Sequence, residues 1–199
     1  MRHFNRAVSV LTETVILGQG TLALELQDQT RELNSNKPLD AIIAPCGGGG
    51  MLSGVALACE GTGIRVFGSE PSFEGGDDAR RGVLAGERVT TVKTLTIADG
   101  LRTPLGDYTW RIISDPQKVA GLYAVTEDQI KAALRLVLER MKVVVEPSAC
   151  VPLAVALFNE EFREMVEREA GPAGWNIGIV FSGGNTTVEA IGKLFALSA

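Results

Sequence analysis

Histidine is almost missing from this sequence. His3 is the only one. A Ser-His-Asp triad or an imidazole metal site would have to recruit that terminal residue, so neither is expected. Cysteine is scarce as well. Cys46, Cys59 and Cys150 are odd in number, far apart and without a CxxC pair. A disulfide framework or zinc site is therefore not expected, and a reducing compartment fits. None of the three has a basic sequence neighbour to lower its pKa, so they read as core thiols. Positive charge is in deficit, with 19 Lys and Arg against 24 Asp and Glu. A nucleic-acid partner would need a basic face, which this balance argues against. No apolar run approaches the roughly 18 residues of a membrane span. The opening MRHFNRAVSV has no apolar stretch leading to a small-residue cleavage site, so no secretory leader is expected and the location is taken as cytoplasmic. Internal repeats and low-complexity linkers are absent too.

What remains is an ordinary globular composition. A 45% hydrophobic share over 199 residues can fill one ample core. The apolar pattern predicts one α/β domain. Val15 to Leu26 is apolar at helical spacing and reads as a turn at Gly18 and Gly20 entering a helix. Asn34 to Pro38 reads as a loop. Asp40 to Pro45 is a buried-strand candidate, followed by four glycines and a helix from Met51 to Glu60. Ile64 to Gly68 is the next strand. This βαβ order predicts a parallel sheet. A short helix is expected over Asp77 to Leu84, and an irregular stretch with a turn at Asp99-Gly100 over Leu95 to Leu105. A strand lies within Val119 to Val125. Thr126 to Met141 is the clearest helix, with Thr126 as N-cap and Glu127 and Asp128 at the positive end of the dipole. A second helix runs from Ser148 through Phe158 towards Ala170. Asn176 to Phe181 is a last strand, and Thr187 to Leu197 a closing helix. The predicted architecture is a three-layer, mostly parallel open twisted sheet.

Two glycine loops carry the candidate chemistry. Gly47-Gly48-Gly49-Gly50 follows a strand and precedes a helix. Residues without a Cβ let the backbone turn tightly and aim several N–H groups at one spot, and the helix N-terminus behind them favours an anion. A phosphate is the natural guest. The spacing is neither the dinucleotide GxGxxG fingerprint nor a P-loop, since no GK[ST] follows. Ser182-Gly183-Gly184-Asn185 repeats the pattern at a second strand end. Both loops should lie at the C-terminal edge of the sheet and share one phosphorylated ligand.

The ordered set GQGT-LALEL (18–26), PCGGGGMLSG (45–54), SEPS (69–72), TIADGL (96–101), VTEDQI (125–130), ERMKVVVEPSA (139–149) and VFSGGN (180–185) resembles the serine racemases and serine/threonine dehydratases. These are fold-type-II, tryptophan synthase β-like enzymes dependent on pyridoxal 5′-phosphate (PLP). The resemblance implies that Gly47, Gly48, Gly49, Gly50 and Met51 hold the PLP phosphate. It places Gly100 beside the ring and gives Ser182, with Gly183, to the pyridine nitrogen. A neutral hydroxyl there does not force the nitrogen to stay protonated, which suits β-elimination better than transamination. The resemblance also implies a divalent cation, Mg²⁺ or Ca²⁺, held by Glu70, Gly76 through its carbonyl, and Asp78. The segment EPSFEGGDD is about two residues longer than the family pattern, which leaves Asp77 or Glu74 as substitutes, or a solvated acidic loop without a cation.

In the family, the cofactor-anchoring lysine sits in an S-x-K-x-R-G segment, and a Ser/Gly/Asn-rich loop grips the substrate carboxylate. Both precede GQGT. Only 17 residues precede Gly18 here, and they hold neither. None of Lys37, Lys93, Lys118, Lys131, Lys142 and Lys193 has the matching context. The expectation is a truncated or split gene product, or an expressed fragment: residues 1–17 a remnant, 18–199 an incomplete PLP-binding domain. A homodimer or a complementing N-terminal polypeptide would cover the sheet edge that this leaves open. Three readings follow: a PLP-dependent ammonia-lyase or racemase acting on a small amino acid, a non-catalytic PLP- or phosphate-binding module, and a threonine synthase or cysteine synthase relative. The TIADGL and SGGN pair favours the first over the third.

Overall fold

The computed structural model describes residues 13–33 and 37–196. Its centre is a four-stranded sheet: β1 Ala41–Pro45, β2 Arg65–Pro71, β3 Gly121–Val125 and β4 Ile177–Ile179. The order is β3-β2-β1-β4 and every pairing is parallel. Parallel strands buried on both faces need unbroken apolar runs, and β1 (AIIAP) is fully buried along its length. The helices are α1 Glu13–Leu33, α2 Gly50–Ala58, α3 Asp78–Ala85, α4 Asp107–Ile113, α5 Glu127–Leu136, α6 Pro147–Phe158, α7 Glu160–Ala170 and α8 Val188–Phe195.

Side chains alternate across the sheet and create two cores. Ile43, Phe67 and Tyr123 face α5, α6 and α7, with Ile130, Leu134, Val151 and Phe162 in that core. Phe162 meets Phe67 and Tyr123 edge-on at centroid distances of 5.3 and 5.1 Å, the favoured geometry for aromatic rings. Ile42, Val66 and Leu122 face the other way, against Ala23 of α1, Leu52 and Val55 of α2, and Ile113 of α4. The result is the expected three-layer α/β arrangement. Each fully buried Ile or Phe of this kind contributes about 1.5–3 kcal/mol.

Two local expectations are corrected, and one helix lies where no element was expected. Gly18 and Gly20 do not form a turn: α1 runs continuously from Glu13 to Leu33. Gly20 is there for close packing. A Cβ on it would lie 2.8 Å from the Gly54 carbonyl oxygen of α2, and a Cβ on Gly54 would lie 2.3 Å from the Ile16 carbonyl oxygen. The helix after Ser148 is two helices, because Asn159 leaves helical geometry (φ −82, ψ 111) and its side chain accepts the Phe162 N–H to cap α7. Helix α4, within a stretch given no element from sequence, follows Gly106 as its N-cap. Thr126 does cap α5, in a reciprocal capping box with Gln129. Helix α5 ends in one wide turn, Val137–Met141, stopped by Lys142 at φ 59. Residues 1–12, 34–36 and Leu197, all touched by the sequence reading, lie outside the described residues. Among the described residues, no helix is long and apolar enough to cross a membrane.

The two glycines Gly18 of α1 and Gly54 of α2 should respond oppositely to alanine. Gly18 is exposed, with nothing within 4 Å of an added Cβ. We expect Gly18→Ala to raise stability by about 0.5–1 kcal/mol. Gly54→Ala, pressed on backbone, should lower it by about 1–3 kcal/mol. Urea unfolding measures both, and a neutral Gly54→Ala would show that backbone contact does not limit the α1–α2 approach.

Candidate functional site

Parallel pairing of β1 with β4, in register from Ala41↔Ile177 to Ile43↔Ile179, brings the ends of both strands to the same sheet edge. The two glycine loops therefore emerge side by side. A cavity of about 160 Å³ opens between them. It is lined by Gly47, Gly48, Gly49, Gly50, Met51, Gly100 and Ser182, with Pro45, Leu101, Glu146 and Ser148 completing the wall. Gly183 stands behind Ser182, against Glu146.

The first loop is a cup of backbone donors. Gly49 has φ +84, the left-handed conformation that suits glycine, and an added Cβ would lie 2.6 Å from Ile113 Cδ1. The Thr109 hydroxyl of α4 donates to the Gly48 carbonyl at 2.9 Å and accepts the Gly106 N–H at 3.0 Å. A trans peptide plane then turns the Gly49 N–H away from Thr109. Among the described residues, the N–H groups of Gly47, Gly48 and Gly49 donate to no protein acceptor. They sit at the N-terminus of α2, where the helix field also favours an anion. Unpaired donors, a glycine-lined hollow and a helix N-terminus together fit the phosphate end of PLP.

The second loop and the Gly100 turn are held by the start of α6. The Glu146 carboxylate accepts the Asn185 N–H at 2.9 Å, and the Glu146 N–H donates to the Gly183 carbonyl at 3.1 Å. The buried Ser148 hydroxyl accepts the Gly100 N–H at 3.0 Å. Of the second loop, only Ser182 lines the cavity. The sequence marks Glu146-Pro147-Ser148 as a motif without giving it a task. It gives no local signal for Thr109, which lies in the unforeseen α4.

Among the described residues, no lysine reaches this cavity. Lys118 pairs with Glu60 beside a separate hollow, towards the start of β2. Lys193 pairs with Glu189 on α8. The three cysteines are buried and free. Burial pushes the Cys59 thiol up to about 11 and the Cys150 thiol up to about 12. Cys46 lies beside the cup but is raised too, by burial first and then by the Glu70 and Asp78 charges. None is a ready nucleophile.

The acidic segment after β2 is a separate feature. Glu70 is 1% exposed and accepts the Ala79 and Arg80 N–H groups at 2.9 and 2.7 Å, at the N-terminus of α3. Burial nonetheless raises its carboxyl to about 8, helped by nearby Asp78. Asp78 is raised to about 6, again chiefly by burial, and its Oδ2 is buried without a hydrogen-bond partner. Gly76 begins the turn into α3, its N–H donating to the Phe73 carbonyl at 3.0 Å. Between β2 and α3 the chain makes a tight turn in which Glu74 takes φ 49. Glu74 is engaged elsewhere, accepting the Leu95 N–H at 2.9 Å, and Asp77 pairs with Arg81. Among the described residues, no cluster of three or more His, Cys, Asp or Glu side chains could hold a metal.

Comparison with known proteins agrees with this geometry. The profile of a family described as pyridoxal-phosphate dependent enzyme matches residues 4–183. Serine racemase of Dictyostelium discoideum is 42% identical over 184 residues, covering 90% of this chain and 52% of that protein. The β-hydroxyaspartate dehydratase of Paracoccus denitrificans is 37% identical, with 89% and 51% covered. The structure of maize serine racemase superposes with a TM-score of 0.77 at 39% identity, over 89% of this chain and 52% of that one. The chain thus spans about half the length of the curated relatives it matches. With its parallel three-layer fold, its glycine cup and a family match along most of its length, this chain belongs to the fold-type-II PLP-dependent enzymes, in the group of the serine racemases and serine/threonine dehydratases.

Proposed function

We propose that this chain supplies the phosphate- and ring-binding surface of a PLP-dependent lyase or racemase acting on small amino acids of the L-serine and L-threonine kind. The observation that carries this reading is the one cavity shared by Gly47–Gly50, Gly100 and Ser182. The cup N–H groups and Met51 would hold the phosphate. Gly100 would flank the ring, and Ser182 would offer its hydroxyl to the ring nitrogen, with Gly183 behind it. When bound, PLP withdraws electron density from the amino acid's α-carbon and makes its α-proton removable. A neutral hydroxyl at the nitrogen tempers that withdrawal, which favours loss of a β-hydroxyl over transamination.

Removing the α-proton needs a base, and the family's covalent anchor is a lysine. None of this chain's six lysines lines the cavity. The 199 residues thus offer a binding surface, and the lysine and carboxylate-gripping loop that the proposed chemistry needs would come from residues other than these. The same absence favours a second reading, a non-catalytic PLP- or phosphate-binding module. Co-expression with a lysine-bearing N-terminal segment separates the two: restored turnover of L-serine selects the enzyme.

We further propose a divalent cation, Mg²⁺ or Ca²⁺, at Glu70, Asp78 and the Gly76 carbonyl. The support is the pair of buried carboxylates and the partnerless Asp78 Oδ2. Oxygen donors of this set suit a hard cation in a structural role.

Gly48→Val should weaken binding of inorganic phosphate and PLP by at least about tenfold, since it obstructs the donors. This residue is chosen because Gly49→Val would also crowd Ile113. Unchanged calorimetric affinity in a folded Gly48→Val protein would remove the phosphate assignment.

The isolated chain should show no turnover of L-serine or L-threonine, because loss of the base and of positioning each costs at least about 10² in rate. Borohydride should trap PLP on no unique lysine. Robust turnover, or one trapped lysine, would overturn the half-site reading.

Stability should also fall with rising pH. The unfolded chain holds Glu70 near 4.5 and the fold raises it to about 8. Between those values the folded state carries the extra proton. Its contribution is full below the unfolded pKa and is lost as pH rises through the folded one. We expect Glu70→Gln to flatten this decline in urea midpoint between about pH 5 and about pH 8. Mg²⁺ or Ca²⁺ should raise the melting temperature of the native sequence and leave Asp78→Asn unshifted. Equal shifts in both would take the cation away from this loop.

A further inference from the structure

We infer that Glu146 is a positioning residue: it holds the Ser182–Asn185 loop at a fixed distance from the glycine cup, so that the Ser182 hydroxyl faces the ring end of the cavity. This rests on the PLP reading above and adds to it a residue that binds no ligand atom itself.

Glu146 is the N-cap of α6, yet its carboxylate makes no capping bond to its own helix. A glutamate is an unusual choice for that place, where Ser, Thr, Asp or Asn would serve the helix better. Its acceptor oxygens point elsewhere. One takes the Asn185 N–H at 2.9 Å, while the backbone N–H of the same residue donates to the Gly183 carbonyl at 3.1 Å. The loop is gripped on both sides of Gly184.

The glycines of this loop are explained by that grip. A Cβ on Gly183 would lie 3.1 Å from Glu146 Oε1, and a Cβ on Gly184 would lie 2.9 Å from the Val144 carbonyl oxygen. Both glycines permit close approach to the 144–146 segment. The sequence pattern assigns the whole loop to a shared phosphorylated ligand, but it is Ser182 alone that meets the cavity.

The same segment fixes the opposite wall. Ser148, 1% exposed, accepts the Gly100 N–H, and a Cβ on Gly100 would lie 3.8 Å from Glu146 Oε1. Helix α6 then runs buried through Ala149, Cys150, Val151 and Pro152. A strand-end loop and a short turn are thereby referred to one buried helix start. Displacing the carboxylate should shift Ser182 while leaving the cup, which is held separately by Thr109.

The test uses two ligands that need no lysine. Inorganic phosphate probes the cup alone. Pyridoxine 5′-phosphate lacks the aldehyde and probes cup and ring together. Glu146→Ala should weaken pyridoxine 5′-phosphate by about 3- to 10-fold, the usual cost of losing one neutral hydrogen bond, here that of Ser182, and leave phosphate affinity unchanged. Glu146→Gln keeps an acceptor and should stay near the native affinity. Ser182→Ala should lose as much as Glu146→Ala, and the double variant no more than either. Additive losses, or equal weakening of both ligands by Glu146→Ala, overturn the role. Hydrogen exchange at the Asn185 amide gives a readout free of ligand: it should quicken in Glu146→Ala and in Gly183→Ala, whose methyl crowds Oε1. Unchanged exchange overturns the grip itself. If the native chain binds neither ligand but exchange does quicken, the cofactor reading fails and the grip stands.

Discussion

The molecule depends on β1 being paired in parallel on both sides. A parallel neighbour fixes not only the strand's position but the direction in which its end points. With β2 on one flank and β4 on the other, the turns after β1 and β4 must leave by the same edge. Neither loop alone makes a cavity. The cup supplies donors and one wall, while Ser182 and the start of α6 supply the facing wall. Antiparallel pairing of β4 would keep the same hydrophobic core and place the second loop at the far end of the sheet.

The cup itself is set by contacts on the side away from any ligand. Helix α2 must begin directly after Gly49, and it is held by backbone-to-backbone contact with α1 through Gly20 and Gly54. Thr109 takes the one carbonyl that would otherwise compete for orientation, which leaves the next N–H turned the opposite way. An anion site made from main-chain dipoles works only if those dipoles cannot rotate. Here the peptide plane is tied to α4, the helix to α1, and the preceding strand to the sheet.

Much of this is legible in the sequence, for a definite reason. The strands DAIIAP, IRVFG and NIGIVF are short apolar runs with a turn signal on each side, and glycine clusters placed directly after two of them can only be strand-end loops. Thr126 with Gln129 announces its helix through local capping chemistry. What escapes depends on tertiary partners. Gly18 and Gly20 look alike in sequence, yet one is open to solvent and the other abuts Gly54. Asn159 lies between two stretches of good helix formers, and its change of backbone direction accompanies the packing of Phe162 on Phe67 and Tyr123, partners distant in sequence. Thr109 belongs to a seven-residue helix whose bond to Gly48 spans 61 positions, a separation no local pattern encodes. The glycines of SGGN do form a loop, as their pattern implies, but the nearer constraint on them is a protein carboxylate rather than a ligand.

The charge distribution within the cavity has a last implication. Among the described residues, the lining contains no lysine and no arginine, and its one charged side chain is the glutamate on the ring side. An anion drawn to this site is drawn by main-chain N–H groups and the field of α2, and is opposed by the net charge of −5 on the whole chain. The attraction is therefore short in range and confined to one end. The opposing carboxylate is already committed to the Asn185 N–H, so it is held in place and cannot swing to meet a cation. Under the proposed function, a molecule with a phosphate at one end and an aromatic ring at the other would enter with its phosphate towards Gly47–Gly50 and its ring towards Gly100 and Ser182. Polarity of this kind orients a ligand before any covalent bond is made. On the proposed function, a surface whose lining carries no lysine would in this way still distinguish the two ends of the cofactor.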